Sequence, residues 1–304
     1  MTHTDSTLIH LSLEGPRGRV RATIDRVGAS LNDAAVGDLA VVPQWAADSP
    51  RPFSAGVTLA PWPNRIRDGK WEWQGTSYQL AISESERQTA LHGLVTDSIW
   101  EVSSVSNAEV TLETTIDQAE GYPFTLSVRV TYALGERGIR CEVELENLGE
   151  SDAPVALGAH PFVCVGDTPV RSLTLSSPLS SRVIVDERLL PIGEESVEGS
   201  GWDFSGGKGL EDVEFDTAFR LGGEAPFVTR LEAANGHAVE LWQEAECGWI
   251  QFFLTDSFPS PAGPVSALAV EPMTAPADAF NSGEDLRVLS PGERWGTRWG
   301  IRRV

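Results

Sequence analysis

Five polar residues of this chain each lie next to an apolar stretch, and their side chains could do acid–base chemistry together. They are Arg65, His92, His160, Asp216 and Glu271. Burying a charged or polar group without a partner costs free energy, so such residues are usually paired or line a pocket. A carboxylate and an imidazole in one pocket can act as general base and general acid. The set predicts acid–base work on a polyhydroxylated ligand, whose hydroxyls the other donors and acceptors would fix.

Glu271 follows residues 267–270, ALAV, which we interpret as a buried strand. Pro272 cannot donate to a β-ladder, so we predict that the strand stops directly after Glu271. Taken alone, an acid in this place is more often a solvated strand end. The interpretation changes because three other segments present a polar group from an apolar stretch in the same way.

Of the five histidines, His3 and His10 lie near the N-terminus and His237 follows Asn235-Gly236 in a predicted hairpin turn, so His92 and His160 are the two that we expect next to the core. His92 lies between Leu91 and Gly93, and His160 lies in residues 155–162, VALGAHPF. For either one alone, a structural histidine with satisfied hydrogen bonds is the commoner case.

Asp216 lies in residues 213–221, VEFDTAFRL, and by itself suits a strand end or a turn. Arg65 and Asn64 follow Pro61 and Pro63 in GVTLAPWPNRIR. The guanidinium offers five donors in a fixed fork that suits vicinal hydroxyls or a carboxylate, although a surface arginine fits the local sequence equally well. We expect tryptophan side chains to provide the flat apolar surfaces on which a sugar ring packs. The candidates are Trp62, Trp71, Trp73, Trp202 and Trp249.

The elements that must position these residues are strands. Residues 125–132 and 139–146 alternate apolar and polar side chains, and a turn at 135–138 joins them into an antiparallel hairpin. Helical periodicity is nearly absent, with short turns near residues 33–38 and 276–280 as the exceptions. We therefore predict an all-β protein, a single domain over residues 1–304 built as a large antiparallel β-sandwich.

Composition narrows the possible partners. The net charge of −21 disfavours nucleic acid and anionic membranes. No histidine pair has metal-binding spacing, so we predict neither a metal nor a cofactor. The three cysteines are expected to be buried apolar residues. The N-terminus has no signal-peptide pattern, and no apolar run could span a membrane, which predicts a soluble cytoplasmic protein. We expect a monomer or a homodimer that acts on a small-molecule sugar.

Five short motifs, in this order along the chain, resemble the aldose 1-epimerase (galactose mutarotase) family. They are PWPNRI, LHG, HPF, FDTAF and VEPMTAPADAFN. The likeness runs through nearly the whole chain from about Gly28. After His160 the sequence reads HPFVCVGD, where galactose-specific members have a longer motif with tyrosine and asparagine. The resemblance thus implies a divergent member and leaves the aldose open.

What the resemblance implies is a galactose mutarotase-like β-supersandwich that interconverts the α and β anomers of a free aldohexose. Glu271 matches the family's general base and His160 its general acid. His92, Asp216, Arg65 and, more weakly, Asn64 match its sugar-binding residues. We expect Glu271 and His160 on opposite sides of the pyranose, with Glu271 ionised and His160 protonated at the start of the reaction.

Three other functions fit part of this pattern. A hexose-6-phosphate 1-epimerase would need a basic cluster, for which Arg65 and Arg67 are the obvious pair. A non-catalytic carbohydrate-binding protein of the same fold would not need the Glu271–His160 pair. A retaining glycosidase would need two facing carboxylates, and Asp216 with Glu271 is the pair that the sequence offers.

Overall fold

The computed structural model describes residues 7–46 and 49–304. Within these residues the regular structure is almost entirely strand, with one short α-helix (α1, Ala279–Ser282) and one 3-10 turn (Val170–Ser172), and turns and loops make up the rest. The first strands in chain order are β1 Leu8–Gly15, β2 Gly18–Asp25, β3 Ser30–Val36, β4 Leu39–Val42, β5 Thr58–Leu59, β6 Arg65–Arg67, β7 Lys70–Trp73, β8 Thr76–Gln79, β9 Thr89–Leu91, β10 Glu101–Val105, β11 Glu109–Ala119, β12 Tyr122–Gly135 and β13 Gly138–Asn147. The remaining strands are β14 Ala153–Val155, β15 Gly158–Ala159, β16 Phe162–Val163, β17 Thr174–Ser176, β18 Leu179–Val185, β19 Pro191–Ser196, β20 Lys208–Gly209, β21 Asp216–Leu221, β22 Phe227–Glu232, β23 Ala238–Gln243, β24 Trp249–Ser260, β25 Gly263–Met273, β26 Arg287–Leu289 and β27 Arg294–Arg303.

Two large antiparallel sheets form the body of the protein, which confirms the predicted all-β sandwich class. One has nine strands in the order β10-β11-β12-β13-β27-β23-β22-β17-β20. The other has eight, in the order β19-β18-β21-β24-β25-β15-β5, with β16 also paired to β25. A four-stranded sheet, β1 to β4, precedes them in the sequence.

Alternation along the strands explains how the sheets pack. In β12 the side chains of Leu126, Val128 and Val130 are fully buried while the residues between them are partly or fully exposed. β13 repeats the pattern with Cys141 and Val143, as predicted. These residues share one continuous hydrophobic core with Phe252 and Val270 of the eight-stranded sheet, so burying apolar area on one face of each sheet holds the two together.

Local predictions were correct in part. The three cysteines are buried, as expected. The turn expected at residues 33–38 forms only at residues 37–38, because residues 33–36 belong to β3. The strand that carries Glu271 does not stop there: Pro272 pairs with Ile250, and β25 continues to Met273. Among the described residues, no helix has the length and apolar character needed to cross a bilayer.

Candidate active site

The predicted site residues converge because the eight-stranded sheet and the short β6–β9 pair place them side by side. Glu271 on β25 is the register partner of Gln251 on β24, and Asp216 at the start of β21 pairs with Phe253 two residues further along β24. His160 lies between β15 and β16, both of which pair with β25. Three adjacent ladders thus bring Asp216, His160 and Glu271 to one place.

Arg65 and His92 reach the same place from β6 and β9. Arg65 is the register partner of Leu91, and the His92 backbone N–H donates to the Asn64 carbonyl at 2.8 Å. His92 and Gly93 both adopt left-handed backbone conformations, with φ of 65° and 80°. This turn directs the His92 ring toward the His160 ring, edge to face, with 5.3 Å between ring centroids.

All six residues predicted for the site line one cavity of about 260 Å³. They are Asn64, Arg65, His92, His160, Asp216 and Glu271. The volume is close to the lower end for small-molecule sites, roughly 300–1,000 Å³. The cavity therefore suits a small ligand.

Glu271 and His160 are in direct contact in this cavity. His160 Nε2 lies 3.3 Å from Glu271 Oε1, and both residues are almost fully buried, with 5% and 2% of their surface exposed. The sequence-based expectation that they flank a pyranose from opposite sides is therefore wrong: the two groups lie beside each other. That arrangement suits sugar chemistry, because the anomeric hydroxyl and the ring oxygen are bonded to the same carbon atom.

Burial sets the protonation of this pair. It raises the pKa of Glu271 well above its usual value, and the nearby Asp216 carboxylate adds to that effect while Arg65 opposes it. Burial also lowers the pKa of His160 to about 4. Burial therefore favours the neutral forms of both groups, in contrast to the ion pair expected from the sequence. Between the two pKa values the pair holds one titratable proton.

Several polar atoms of the cavity have no protein partner. Within the part of the chain that the structure describes, Glu271 Oε2, His160 Nδ1 and His92 Nδ1 are buried without a hydrogen bond. Burial holds the pKa of His92 well below its usual value, and electrostatic interactions with His160 and Arg65 act in the same direction, so this ring is neutral. Unpaired buried polar atoms are costly, and a ligand rich in hydroxyl groups would satisfy them.

The bidentate fork of Arg65 binds a carboxylate of the protein itself, which is one of the two kinds of partner that the sequence analysis allowed. Arg65 Nε and Nη2 donate to the two Glu84 carboxylate oxygens at 2.8 and 3.0 Å. Arg65 Nη1 donates to Asn64 Oδ1 at 3.4 Å. Arg65 is a buried residue, not the surface arginine that its local sequence also allowed.

Asp216 is held by Gln251, which sequence reasoning missed. Gln251 Nε2 donates to Asp216 Oδ1 at 2.8 Å, and Gln251 Oε1 accepts from Asn64 Nδ2 at 3.4 Å. Burial raises the pKa of Asp216, while Arg65 and Arg87 act in the opposite direction. Gln251 had a signal like that of the five predicted residues, since it is the one polar residue in WIQFFL.

The aromatic walls of the cavity are also not those expected. None of the ten tryptophans, all within the described residues, lines it; Phe53 and Phe253 do, with 5.5 Å between their ring centroids. Trp62, Trp71 and Trp249 are core residues. Arg67 also lies elsewhere, paired with Asp186 and Asp278, so the basic pair required of a hexose-6-phosphate enzyme is not Arg65 with Arg67.

The turn that carries His92 gives a prediction for stability. A Cβ on Gly93 would lie 2.1 Å from the Ala60 carbonyl oxygen, in addition to the left-handed strain. Gly75 has a similar φ of 78° but open space around it. We expect Gly93→Ala to lower the free energy of unfolding by about 2–5 kcal/mol, and Gly75→Ala by about 1–2 kcal/mol, in urea titrations. Equal losses would show that the Ala60 contact adds nothing.

Comparison with known proteins agrees with this geometry. The model of the family "Aldose 1-epimerase" matches residues 10–302. The chain therefore belongs to the aldose 1-epimerase family, as the five motifs indicated. It is 31% identical to the Escherichia coli (strain K12) protein named "Uncharacterized protein YihR" over 278 residues, which cover 91% of this chain and 88% of that protein.

Relatives with a described activity are more distant. The human protein named "Galactose mutarotase" is 29% identical over 204 residues, 62% of this chain and 58% of that protein. Among solved structures, the GalM/aldose epimerase homologue from C. elegans superposes with a TM-score of 0.82 at 19% identity, covering 98% of this chain and 99% of that one. This likeness shows that the fold is the galactose mutarotase-like one.

Proposed function

We propose that this protein is an aldose 1-epimerase that interconverts the α and β anomers of a free, neutral aldohexose. The contact between Glu271 and His160 in the cavity is the observation that carries the proposal. Family membership and the human galactose mutarotase likeness support it. A protein that only bound sugar would have no need to bury an acid against an imidazole.

The proposed reaction moves one proton at each of two oxygens. Glu271 as carboxylate takes the proton of the anomeric hydroxyl, and His160 as imidazolium gives one to the ring oxygen. The bond between the anomeric carbon and the ring oxygen breaks, the aldehyde rotates about the adjacent carbon–carbon bond, and reclosure returns either anomer. Asp216, His92, Asn64 and Arg65 would hold the other hydroxyls.

The pKa shifts of Glu271 and His160 fit this cycle. Opening the ring leaves Glu271 protonated and His160 neutral, which is the state that burial favours. The starting state differs only by transfer of the shared proton from Glu271 to His160 across a 3.3 Å contact. The net charge of the buried pair therefore does not change during turnover.

The proposal is tested by polarimetry on freshly dissolved single anomers of several aldoses, with glucose 6-phosphate beside glucose. We expect anomer interconversion well above the spontaneous rate for at least one neutral aldose. Measurable binding without acceleration would instead support a carbohydrate-binding protein, and a preference for the phosphorylated sugar would support the hexose-6-phosphate alternative.

The pH dependence follows from the two pKa shifts. As pH falls through about 4, His160 takes a second proton onto the pair and the base is lost. As pH rises through the raised pKa of Glu271, the pair loses its one proton and the acid is lost. We expect a bell-shaped pH profile of kcat/KM, whose two apparent pKa values belong to the pair. A constant kcat/KM from about pH 3 to about pH 10, after subtracting the spontaneous rate, would contradict this.

A further inference from the structure

Glu84 lies in the charged segment 81–88 between β8 and β9, and its carboxylate is saturated with hydrogen bonds. Oε1 accepts from Arg65 Nη2 at 3.0 Å and from Arg87 Nη1 at 2.9 Å. Oε2 accepts from Arg65 Nε at 2.8 Å and from Thr89 Oγ1 at 2.6 Å. Although burial opposes ionisation, the hydrogen bonds from Arg65 and Thr89 lower the pKa of Glu84 to about 2. The residue is an anion throughout the physiological range.

These contacts fix the orientation of Arg65. A carboxylate that receives both Nε and Nη2 holds the planar guanidinium in one plane, because the fork is rigid. Nη1 donates one hydrogen bond to Asn64 Oδ1, and its second N–H is left for a ligand in the cavity that Asn64 also lines. Only 10% of the Arg65 side chain and 14% of the Glu84 side chain are exposed, so water competes little for this pair.

The charge of Arg65 also reaches the acid–base residues. Burial raises the pKa of Glu271 and Asp216, and the Arg65 guanidinium opposes that rise; it also adds to the lowering of the His92 pKa. An anion bonded directly to Arg65 offsets that charge. Arg87, the second cation on the cavity wall, is bonded to the same carboxylate. Glu84 thus lies between both arginines of the cavity.

We propose that Glu84 is a positioning residue for sugar binding: it holds Arg65 so that the Nη1 side of the guanidinium meets a substrate hydroxyl. This inference rests on the proposed function and adds to it a residue outside the five family-like motifs. Glu84 itself keeps no free lone pair for the sugar, since each oxygen already accepts two hydrogen bonds.

The experiment compares Glu84→Gln, Glu84→Asp and Glu86→Gln with the unchanged protein. Glu84→Gln keeps the shape and removes the charge, whereas Glu84→Asp keeps the charge and shortens the reach. Glu86 is an exposed glutamate of the same segment and gives the matched control. For each protein, kcat and KM are measured by polarimetry on the best aldose, and the Arg65 Nε–H signal is followed by ¹⁵N NMR.

We expect Glu84→Gln to raise KM about tenfold or more with a smaller change in kcat, and to abolish the slowly exchanging Arg65 Nε–H signal. Glu84→Asp should show an intermediate KM, and Glu86→Gln should match the unchanged protein. If Glu84→Gln does not fold, the KM and NMR signal of Glu84→Asp decide the question.

Two results would overturn the proposal. One is a folded Glu84→Gln with unchanged KM, and the other is a variant with lower thermal stability but unchanged kcat and KM per folded molecule. If the unchanged protein accelerates no aldose, the proposed function fails, and the Arg65 signal still tests whether Glu84 positions the arginine.

Discussion

Replacing Glu271 with glutamine should reduce kcat for anomer interconversion by about 10²–10⁴-fold, because an amide cannot accept the proton of the anomeric hydroxyl. Glutamine has the same shape, and Glu271 is buried with a pKa raised toward the neutral form. The substitution therefore leaves packing intact, and we expect little change in KM or in Tm. Polarimetry or NMR exchange spectroscopy at saturating sugar measures the effect.

Glu86→Gln makes the same chemical change at an exposed position and should leave kcat as it is. Circular dichroism melts of both variants separate loss of chemistry from loss of fold. A Glu271→Gln protein that melts normally and retains full kcat would remove Glu271 from the reaction and, with it, the observation on which the proposed function depends.

Replacing His160 with glutamine should lower kcat by about 10²–10⁴-fold as well, because the ring oxygen then leaves without a proton donor. The matched variant is His92→Gln, in the ring that packs edge to face against His160. His92 is neutral and has a buried nitrogen free to meet a hydroxyl, so its loss should raise KM more than it lowers kcat. The two variants together assign the proton donor.

If His92→Gln lowers kcat more than His160→Gln does, His92 is the proton donor and His160 the residue that binds a hydroxyl. Equal, modest losses of kcat in both variants would indicate that neither ring donates a proton. Sugar affinity of each variant, measured by calorimetry, shows whether the cavity still forms.

The fold class was predictable from the sequence because apolar and polar residues alternate along a strand that has one buried and one exposed face. β12 and β13 match the predicted alternation residue by residue, since one face of that sheet is wet. Pairing partners far apart in sequence were not predictable in this way. The proximity of Glu271 to His160 depends on β15 and β16 lying beside β25, which no local pattern encodes.

Site residues were predictable where a lone polar residue interrupts an apolar stretch. Glu84 and Arg87 lie in SESER, whose charges resemble an ordinary solvated loop, so nothing local marks them as cavity residues. The protonation state of Glu271 and His160 was also not predictable from the sequence. It depends on how deeply Glu271 and His160 are buried. The cost of burying the charged forms outweighs the stabilisation that a carboxylate and an imidazolium would give each other.

The position of Glu271 inside β25 has a consequence for the thermal stability of the site. This strand is bonded to β24 on one side and to β15 and β16 on the other. A carboxylate held in this way is not displaced by movements of a surface loop, so we expect Glu271 to keep its place until the eight-stranded sheet itself opens. Substitutions that stabilise the interior of this sheet should therefore preserve the position of this carboxylate at higher temperature.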